Sequence, residues 1–101
     1  MEALIPFKNK QEIVEFCQKH DVSYLGLFGS HARNEMTETS DIDLLFDFRE
    51  GVRKSLFDIG GMVIELEEKF GKEVDLVQRN AIKPRLKPYI LNELTTLYEE
   101  R

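Results

Sequence analysis

The chain has 101 residues, 42% of them apolar and 33% charged, and its formal net charge is −5. This composition predicts one folded domain over residues 1–101 and excludes a disordered chain. The acidic balance argues against generic nucleic-acid binding, which usually needs a basic surface. No apolar run approaches the ~20 residues of a membrane-spanning helix. We therefore expect no membrane contact. The single cysteine, Cys17, cannot form an internal disulfide, which fits a cytoplasmic protein.

The first half of the chain alternates between helical and strand patterns. Residues 9–20 carry apolar side chains at helical spacing, and residues 22–29 are rich in β-formers and close on a glycine. Residues 30–35, "SHARNE", can begin a short helix, and residues 41–48, "DIDLLFDF", form the second predicted strand. Because side chains alternate across a strand, one face of this strand is apolar and is expected to pack on helices. The other face carries Asp41, Asp43, Leu45 and Asp47.

The second half predicts a helix, a strand and a last helix. Apolar side chains between residues 52 and 70 step by four and three positions, as on one stripe of a helix. The segment "KEVDLV" at residues 72–77 predicts a third strand, with Asp75 facing away from its apolar neighbours. The last predicted helix has its apolar positions at Ile90, Leu94 and Leu97. The predicted order is α-β-α-β-α-β-α, an α/β (α+β) fold in which helices cover a small sheet.

Two aspartates open the second strand, and a third lies in the third strand. Asp41 and Asp43 share one strand face, roughly 7 Å apart along the strand, and Asp75 joins them if its strand pairs alongside. Three converging carboxylates are destabilising unless cations lie between them. Such ligands suit Mg²⁺ or Mn²⁺, and two ions can activate an attacking oxygen and stabilise a leaving one. The Asp-x-Asp pair alone also fits acidic alternation on a solvent-facing strand.

Gly29 and Ser30 end the first strand shortly before the carboxylate pair. A helix starting here would offer free N–H groups and a dipole to phosphate oxygens, and Ser30 would add a hydroxyl donor. Arg33, one turn further on, can reach a phosphate or a carboxylate. The simpler interpretation is a turn glycine followed by an N-cap serine. A phosphate cradle after one strand together with a carboxylate pair on the next favours the first interpretation.

A basic cluster lies between Asp75 and Glu93. The residues between these two contain no acidic side chain. It consists of Arg79, Lys83, Arg85 and Lys87. The cluster is interpreted either as a solvated basic face or as a contact for an anionic ligand or partner.

The segment "GSHARNEMTETSDIDLL" resembles the signature of the nucleotidyltransferase superfamily with the DNA-polymerase-β-like fold, in which Gly-Ser is followed after a spacer by Asp-x-Asp. Ala32-Arg33, Ser40 before "DIDLL", "VDLV" and "KPRLKPYIL" further resemble the minimal nucleotidyltransferases. These are small bacterial and archaeal proteins commonly paired with a HEPN-domain partner. The resemblance implies a small mixed sheet flanked by helices.

The resemblance also implies the roles of the candidate residues and the partners of the protein. Phosphate binding falls on the Gly-Ser pair with Arg33 close by, and catalysis and metal binding fall on three aspartates. In this sequence these residues are Gly29, Ser30, Arg33, Asp41, Asp43 and Asp75. The implied substrate is ATP, the implied cofactor is Mg²⁺ as two ions, and the implied activity is AMP transfer to a tyrosine of a HEPN toxin, with the protein as its antitoxin.

One departure and two alternatives accompany this interpretation. Members of the family usually have a glycine at the position of Asn34, and asparagine tolerates the left-handed backbone that such a turn uses. The chain can instead be a binding module that neutralises its partner by occlusion without catalysis. It can also transfer the nucleotide to a small molecule.

Overall fold

The computed structural model describes Phe7, residues 9–29 and residues 42–100. The described elements are α1 (Lys10–Lys19), β1 (Val22–Phe28), β2 (Ile42–Phe48), α2 (Leu56–Phe70), β3 (Val74–Gln78), a single 3₁₀ turn (Arg79–Ala81), α3 (Lys87–Asn92) and β4 (Thr95–Glu99). The mixed sheet flanked by helices that the sequence predicts is confirmed. Within these ranges, no helix has the length and apolar character needed to cross a bilayer.

The four strands form one sheet in the order β3-β2-β1-β4. β1 pairs antiparallel with both β2 and β4, whereas β2 pairs parallel with β3. A parallel pair needs a long crossover connection, and α2 supplies it between β2 and β3. β1 and β2 are therefore the two central strands.

One face of the sheet packs against α1 and α2 and forms the main hydrophobic core. The core positions of β2 and the two helices are Ile42, Leu44, Phe46, Ile13, Phe16, Cys17, Met62 and Leu66. The apolar face predicted for β2 is confirmed, and Cys17 is a fully buried, free thiol. Burial raises the pKa of the Cys17 thiol to about 12, so this cysteine stays protonated and acts as a small apolar side chain.

The segment from the 3₁₀ turn to Leu94 covers the opposite face of the sheet. The Arg79 guanidinium lies 4.2 Å from the centre of the Tyr24 ring. Leu94 packs closely over Gly26. Its Cδ1 lies 2.7 Å from the position that a Cβ at Gly26 would take. The sheet is thus enclosed on both sides, by helices on one face and by this folded-back segment on the other.

Helix α2 begins at Leu56. The spacing of apolar residues in the sequence predicts an earlier start, near residue 52. Ser55 stops it from starting earlier, because a capping box forms there. The Asp58 carboxylate accepts from the Ser55 N–H at 2.8 Å, and the Ser55 hydroxyl accepts from the Asp58 N–H at 3.4 Å. Gly60 and Gly61 lie inside the helix.

The sequence predicts a last helix with apolar positions as far as Leu97, but α3 ends at Asn92. The prediction is therefore wrong beyond Asn92. Thr95–Glu99 instead form β4, which pairs with β1. The β-branched and aromatic residues of this segment favour a strand, and the open edge of β1 provides the partner that helical spacing cannot reveal. The short helix predicted at residues 30–35 lies outside the described residues.

An ion-pair network ties β4 to the chain around β1 and β2. Arg49 donates to Glu100 through Nε at 2.9 Å and Nη2 at 2.6 Å, and to Asp21 through Nη1 at 3.1 Å. The Tyr98 hydroxyl donates to the same Glu100 carboxylate at 2.7 Å. The bond from Arg49 and the bond from Tyr98 lower the pKa of Glu100 to about 2.

Acid should weaken the fold through Glu100. Its pKa is 4.5 in an unperturbed state and about 2 in the folded protein. A carboxyl group with a depressed folded-state pKa stabilises the fold above its unfolded pKa and loses that contribution as the pH falls toward the folded value. We expect the free energy of unfolding to fall more between about pH 6 and about pH 3 for the wild type than for Glu100→Gln, measured by urea denaturation. Equal decreases in the two proteins would contradict this assignment.

Candidate active site

Asp43 on β2 and Asp75 on β3 are direct partners in the parallel register. Neighbouring strands lie about 4.8 Å apart, and both side chains point away from the core formed with α1 and α2. The Ile42 N–H donates to the Glu73 carbonyl at 2.9 Å and so holds the start of the two strands together. The condition under which Asp75 joins Asp43, that its strand pairs alongside, is therefore met.

The protein places two carboxylates side by side, and the part of the chain that the structure describes gives Asp75 no counter-ion. Asp75 is exposed and Asp43 half-buried, and no lysine or arginine in the described ranges forms an ion pair with Asp75. By contrast, Asp47 on the same sheet face has Arg79, whose Nε lies 3.8 Å from its Oδ2. Adjacent carboxylates raise each other's energy unless a cation lies between them. The exposed Asp75 carboxylate beside Asp43 is therefore a suitable oxygen donor for a cation.

Gly29 brings the end of β1 against the carboxylate of Asp43. Its φ is +77°, in the left-handed region that favours glycine, and a Cβ at this position would overlap the Asp43 carboxylate. The phosphate-binding role predicted for Gly29 stays a prediction, and the structure shows the close approach of its backbone to Asp43. Anything held by the backbone at Gly29 lies next to anything held by Asp43.

Three of the candidate residues, Ser30, Arg33 and Asp41, lie outside the described residues. Within Phe7, 9–29 and 42–100, no group of three His, Cys, Asp or Glu side chains is arranged to hold a metal ion. The Asp43 and Asp75 oxygens are nevertheless the hard donors that Mg²⁺ and Mn²⁺ prefer. The described pair therefore fits part of such a site, and the third carboxylate remains a prediction that falls on Asp41.

A pocket of about 350 Å³ opens beside Asp75, between the sheet and the segment that folds over it. Its polar side chains are Asp75 and Lys83. Its apolar wall consists of Phe28, Val77, Ala81, Ile82, Leu86 and Ile90. Sequence reasoning missed this pocket, because the wall comes from β1, β3 and the folded-back segment, which only the tertiary structure brings together.

The basic cluster divides into one structural arginine and three exposed cations. Lys83, Arg85 and Lys87 are exposed. The side chain of Arg79 lies instead over Tyr24 and near Asp47, and its Nε is buried without a hydrogen-bond partner among the described residues. No spacing in the sequence separates Arg79 from the other three.

Residues 10–97 match the nucleotidyltransferase domain family. The chain belongs to this family and is a nucleotidyltransferase. The resemblance to minimal nucleotidyltransferases is also confirmed. A solved structure described as "putative minimal nucleotidyltransferase" is 35% identical, covers 85% of this chain and 86% of its own, and superposes with a TM-score of 0.72.

Relatives of known name extend the comparison. The protein named "Putative protein adenylyltransferase MJ0435" from Methanocaldococcus jannaschii is 52% identical over 84 residues, which are 83% of this chain and 88% of the relative. A further solved structure is the complex of a tri-AMPylated HEPN toxin with an MNT antitoxin from Shewanella oneidensis. Its matching chain is 18% identical, covers 99% of this chain and 74% of its own, and has a TM-score of 0.66. At that identity the match shows the fold alone.

Replacing Gly29 by alanine should destabilise the protein by more than backbone strain alone. A left-handed non-glycine residue costs about 1–2 kcal/mol, and at Gly29 the new Cβ also meets the Asp43 carboxylate. Gly51→Ala is a matched control, because Gly51 has a φ of +83° but no atom within 4 Å of an added Cβ. We expect the free energy of unfolding, measured by urea denaturation, to fall further for Gly29→Ala than for Gly51→Ala.

The same comparison in an Asp43→Ala background isolates the contact. Removing the carboxylate should lower the excess cost of Gly29→Ala over Gly51→Ala, and only the contact with the Asp43 Cβ, 3.3 Å from the added Cβ, should remain. An excess cost that Asp43→Ala leaves unchanged would show that the carboxylate does not contact Gly29.

Proposed function

We propose that this chain is a metal-dependent protein adenylyltransferase that transfers AMP from ATP to a tyrosine of a HEPN-type toxin and thereby acts as its antitoxin. The observation that carries the proposal is the Asp43–Asp75 pair against the backbone of Gly29, in a chain of the nucleotidyltransferase family. The name of the Methanocaldococcus relative and the AMPylated toxin in the Shewanella complex support the choice of AMP and of a toxin partner. The proposal treats residues 1–101 as a single nucleotidyltransferase domain.

Metal ions and triphosphate are assigned to neighbouring groups. Asp41, Asp43 and Asp75 would hold two Mg²⁺ ions, or Mn²⁺, and Gly29 with Ser30 would bind the phosphates, with Arg33 adding a positive charge. When bound, such ions offset the charge of the triphosphate and of the leaving pyrophosphate. The closeness of Gly29 to Asp43 supports this division, because phosphate and metal must be in contact in such a reaction.

The reaction itself is an in-line displacement at the α-phosphorus. The acceptor hydroxyl oxygen forms a bond to the α-phosphorus while the bond to the oxygen bridging to the β-phosphate breaks, and pyrophosphate leaves. The hydroxyl proton passes to the Asp75 carboxylate and from there to solvent. The exposed position of Asp75 at the edge strand β3 supports its role as the proton acceptor, because an incoming acceptor can reach it.

A second candidate function is neutralisation of the partner by occlusion without transfer. It is favoured by the exposed apolar side chains of α2, which are Leu56, Phe57 and Ile64, at 84%, 93% and 59% exposure. These side chains belong to a helix that packs on the sheet face opposite the carboxylate pair. A partner bound there would not present its hydroxyl to Asp75, so the two functions separate experimentally.

Substituting any of the three aspartates should abolish AMP transfer. We expect Asp41→Asn, Asp43→Asn and Asp75→Asn each to lower the rate of transfer from ATP labelled on its α-phosphate by at least about 100-fold, a typical cost of losing one group that stabilises the charge of a transition state. Asp47→Asn is the matched control. It lies on the same strand face but has Arg79 as its counter-ion, and we expect it to retain activity.

Intact-mass spectrometry of the candidate toxin after incubation with ATP and Mg²⁺ decides between the two functions. An added AMP mass that disappears with Asp43→Asn supports transfer. Neutralisation of the toxin with no change in its mass, unaffected by Asp43→Asn, would establish occlusion. Unchanged transfer by Asp43→Asn would refute the assignment of this residue.

Reversing the charge of Arg85 and Lys87 should weaken partner binding more than ATP binding. Both are exposed cations outside the pocket beside Asp75, so an acidic partner surface can contact them. The matched control is Lys10→Glu with Arg53→Glu, which reverses two exposed charges elsewhere. Affinities measured by isothermal titration should fall for the partner only in the first variant, and equal losses for partner and ATP would contradict the separation.

A further inference from the structure

We propose that the pocket beside Asp75 binds the aromatic ring of the acceptor tyrosine and presents its hydroxyl to that carboxylate. This inference rests on the proposed function, since it assigns the acceptor subsite of the same reaction. The pocket has about 350 Å³, within the range of small-ligand pockets (roughly 300–1,000 Å³). It lies between the sheet and the residues 79–90 that fold over it.

The position of the pocket places it on the acceptor side of the site. Across the sheet, Asp43 lies between Asp75 on β3 and the end of β1 at Gly29. Phosphates held at Gly29 therefore approach Asp43 from the β1 side. The pocket reaches from Phe28 of β1 to Asp75 of β3, so an acceptor in it meets Asp75 at the β3 end of this row. An in-line displacement needs the attacking oxygen on the side of the phosphorus opposite to the leaving group. The pocket is thus where an attacking hydroxyl can wait beside Asp75.

The chemistry of the lining matches a phenol. Among the described residues, six apolar side chains form the wall, and the polar groups at its surface are one carboxylate and one ammonium group. A tyrosine ring would bury its apolar faces against Phe28, Val77 and Ile82, with the hydroxyl directed to Asp75. The ammonium group of Lys83 lowers the cost of the phenolate that forms as the proton leaves.

The same lining disfavours the adenine base as the occupant. Recognition of a purine edge uses amide, hydroxyl or backbone donors and acceptors, and none of the described residues that line the pocket is an asparagine, glutamine, serine or threonine. The surroundings of the pocket instead suit a polypeptide. Leu86 and Tyr89 expose 44% and 72% of their surface there, and exposed Arg85 and Lys87 add positive charge that favours an acidic segment carrying the tyrosine.

Filling the pocket tests the assignment. Ala81 is exposed on the 3₁₀ turn and lines the pocket, so Ala81→Trp should occupy it without disturbing the core. Asn80→Trp is the matched control, because Asn80 is the adjacent exposed residue and does not line the pocket. With N-acetyl-tyrosinamide as acceptor, we expect Ala81→Trp to raise the KM for the acceptor at least about tenfold. The Kd for ATP should stay within about twofold, and Asn80→Trp should behave as the wild type.

Binding measurements separate failure of this inference from failure of the proposed function. N-acetyl-tyrosinamide should shift the methyl NMR signals of Val77, Ile82 and Ile90 in the wild type and in Asn80→Trp, but not in Ala81→Trp, whether or not AMP is transferred. A wild type that shows these shifts but transfers no AMP would refute the proposed function and leave the pocket assignment standing. Absence of the shifts, an unchanged acceptor KM in Ala81→Trp, or a tenfold weaker Kd for ATP in that variant would each overturn the pocket assignment.

Discussion

The parallel pairing of β2 with β3 is the constraint on which the site depends. It makes Asp43 and Asp75, thirty-two positions apart in sequence, register partners. Helix α2 makes this pairing possible by returning the chain to the same edge of the sheet. The Glu67 carboxylate near the end of α2 accepts from the Val74 N–H at 3.0 Å, so the helix also fixes where β3 begins.

The repulsion between the two neighbouring carboxylates is offset by the packing of the rest of the sheet. The core against α1 and α2 holds β2 in place through fully buried Leu44 and Phe46, so Asp43 cannot turn away from Asp75. In the proposed function a cation would relieve the repulsion, and its binding would be favoured because the fold has already brought the ligands together. Stability on one face of the sheet thus prepares the chemistry on the other.

The folded-back segment treats the acidic side chains on the sheet face opposite α1 and α2 in two different ways. Near its start, Arg79 packs on Tyr24 and faces Asp47, so this acid has a positive neighbour within the protein. Further along, Ala81, Ile82 and Leu86 stand away from the sheet enough to leave a pocket beside Asp75. One segment therefore separates the acid that is balanced internally from the acid that remains available to ligands.

The sequence alone determined the apolar face of β2 and the positions of Asp43 and Asp75 on strands, because alternation along a strand is a local property. The mixed sheet followed from the resemblance of the sequence to the family. The tertiary structure decided the rest. Thr95–Glu99 form a strand because β1 has an open edge with which they pair. Arg79 differs from the other residues of the basic cluster because its side chain lies near Asp47. The pocket forms where segments distant in sequence meet. These outcomes depend on contacts between residues far apart in the chain, which local patterns do not record.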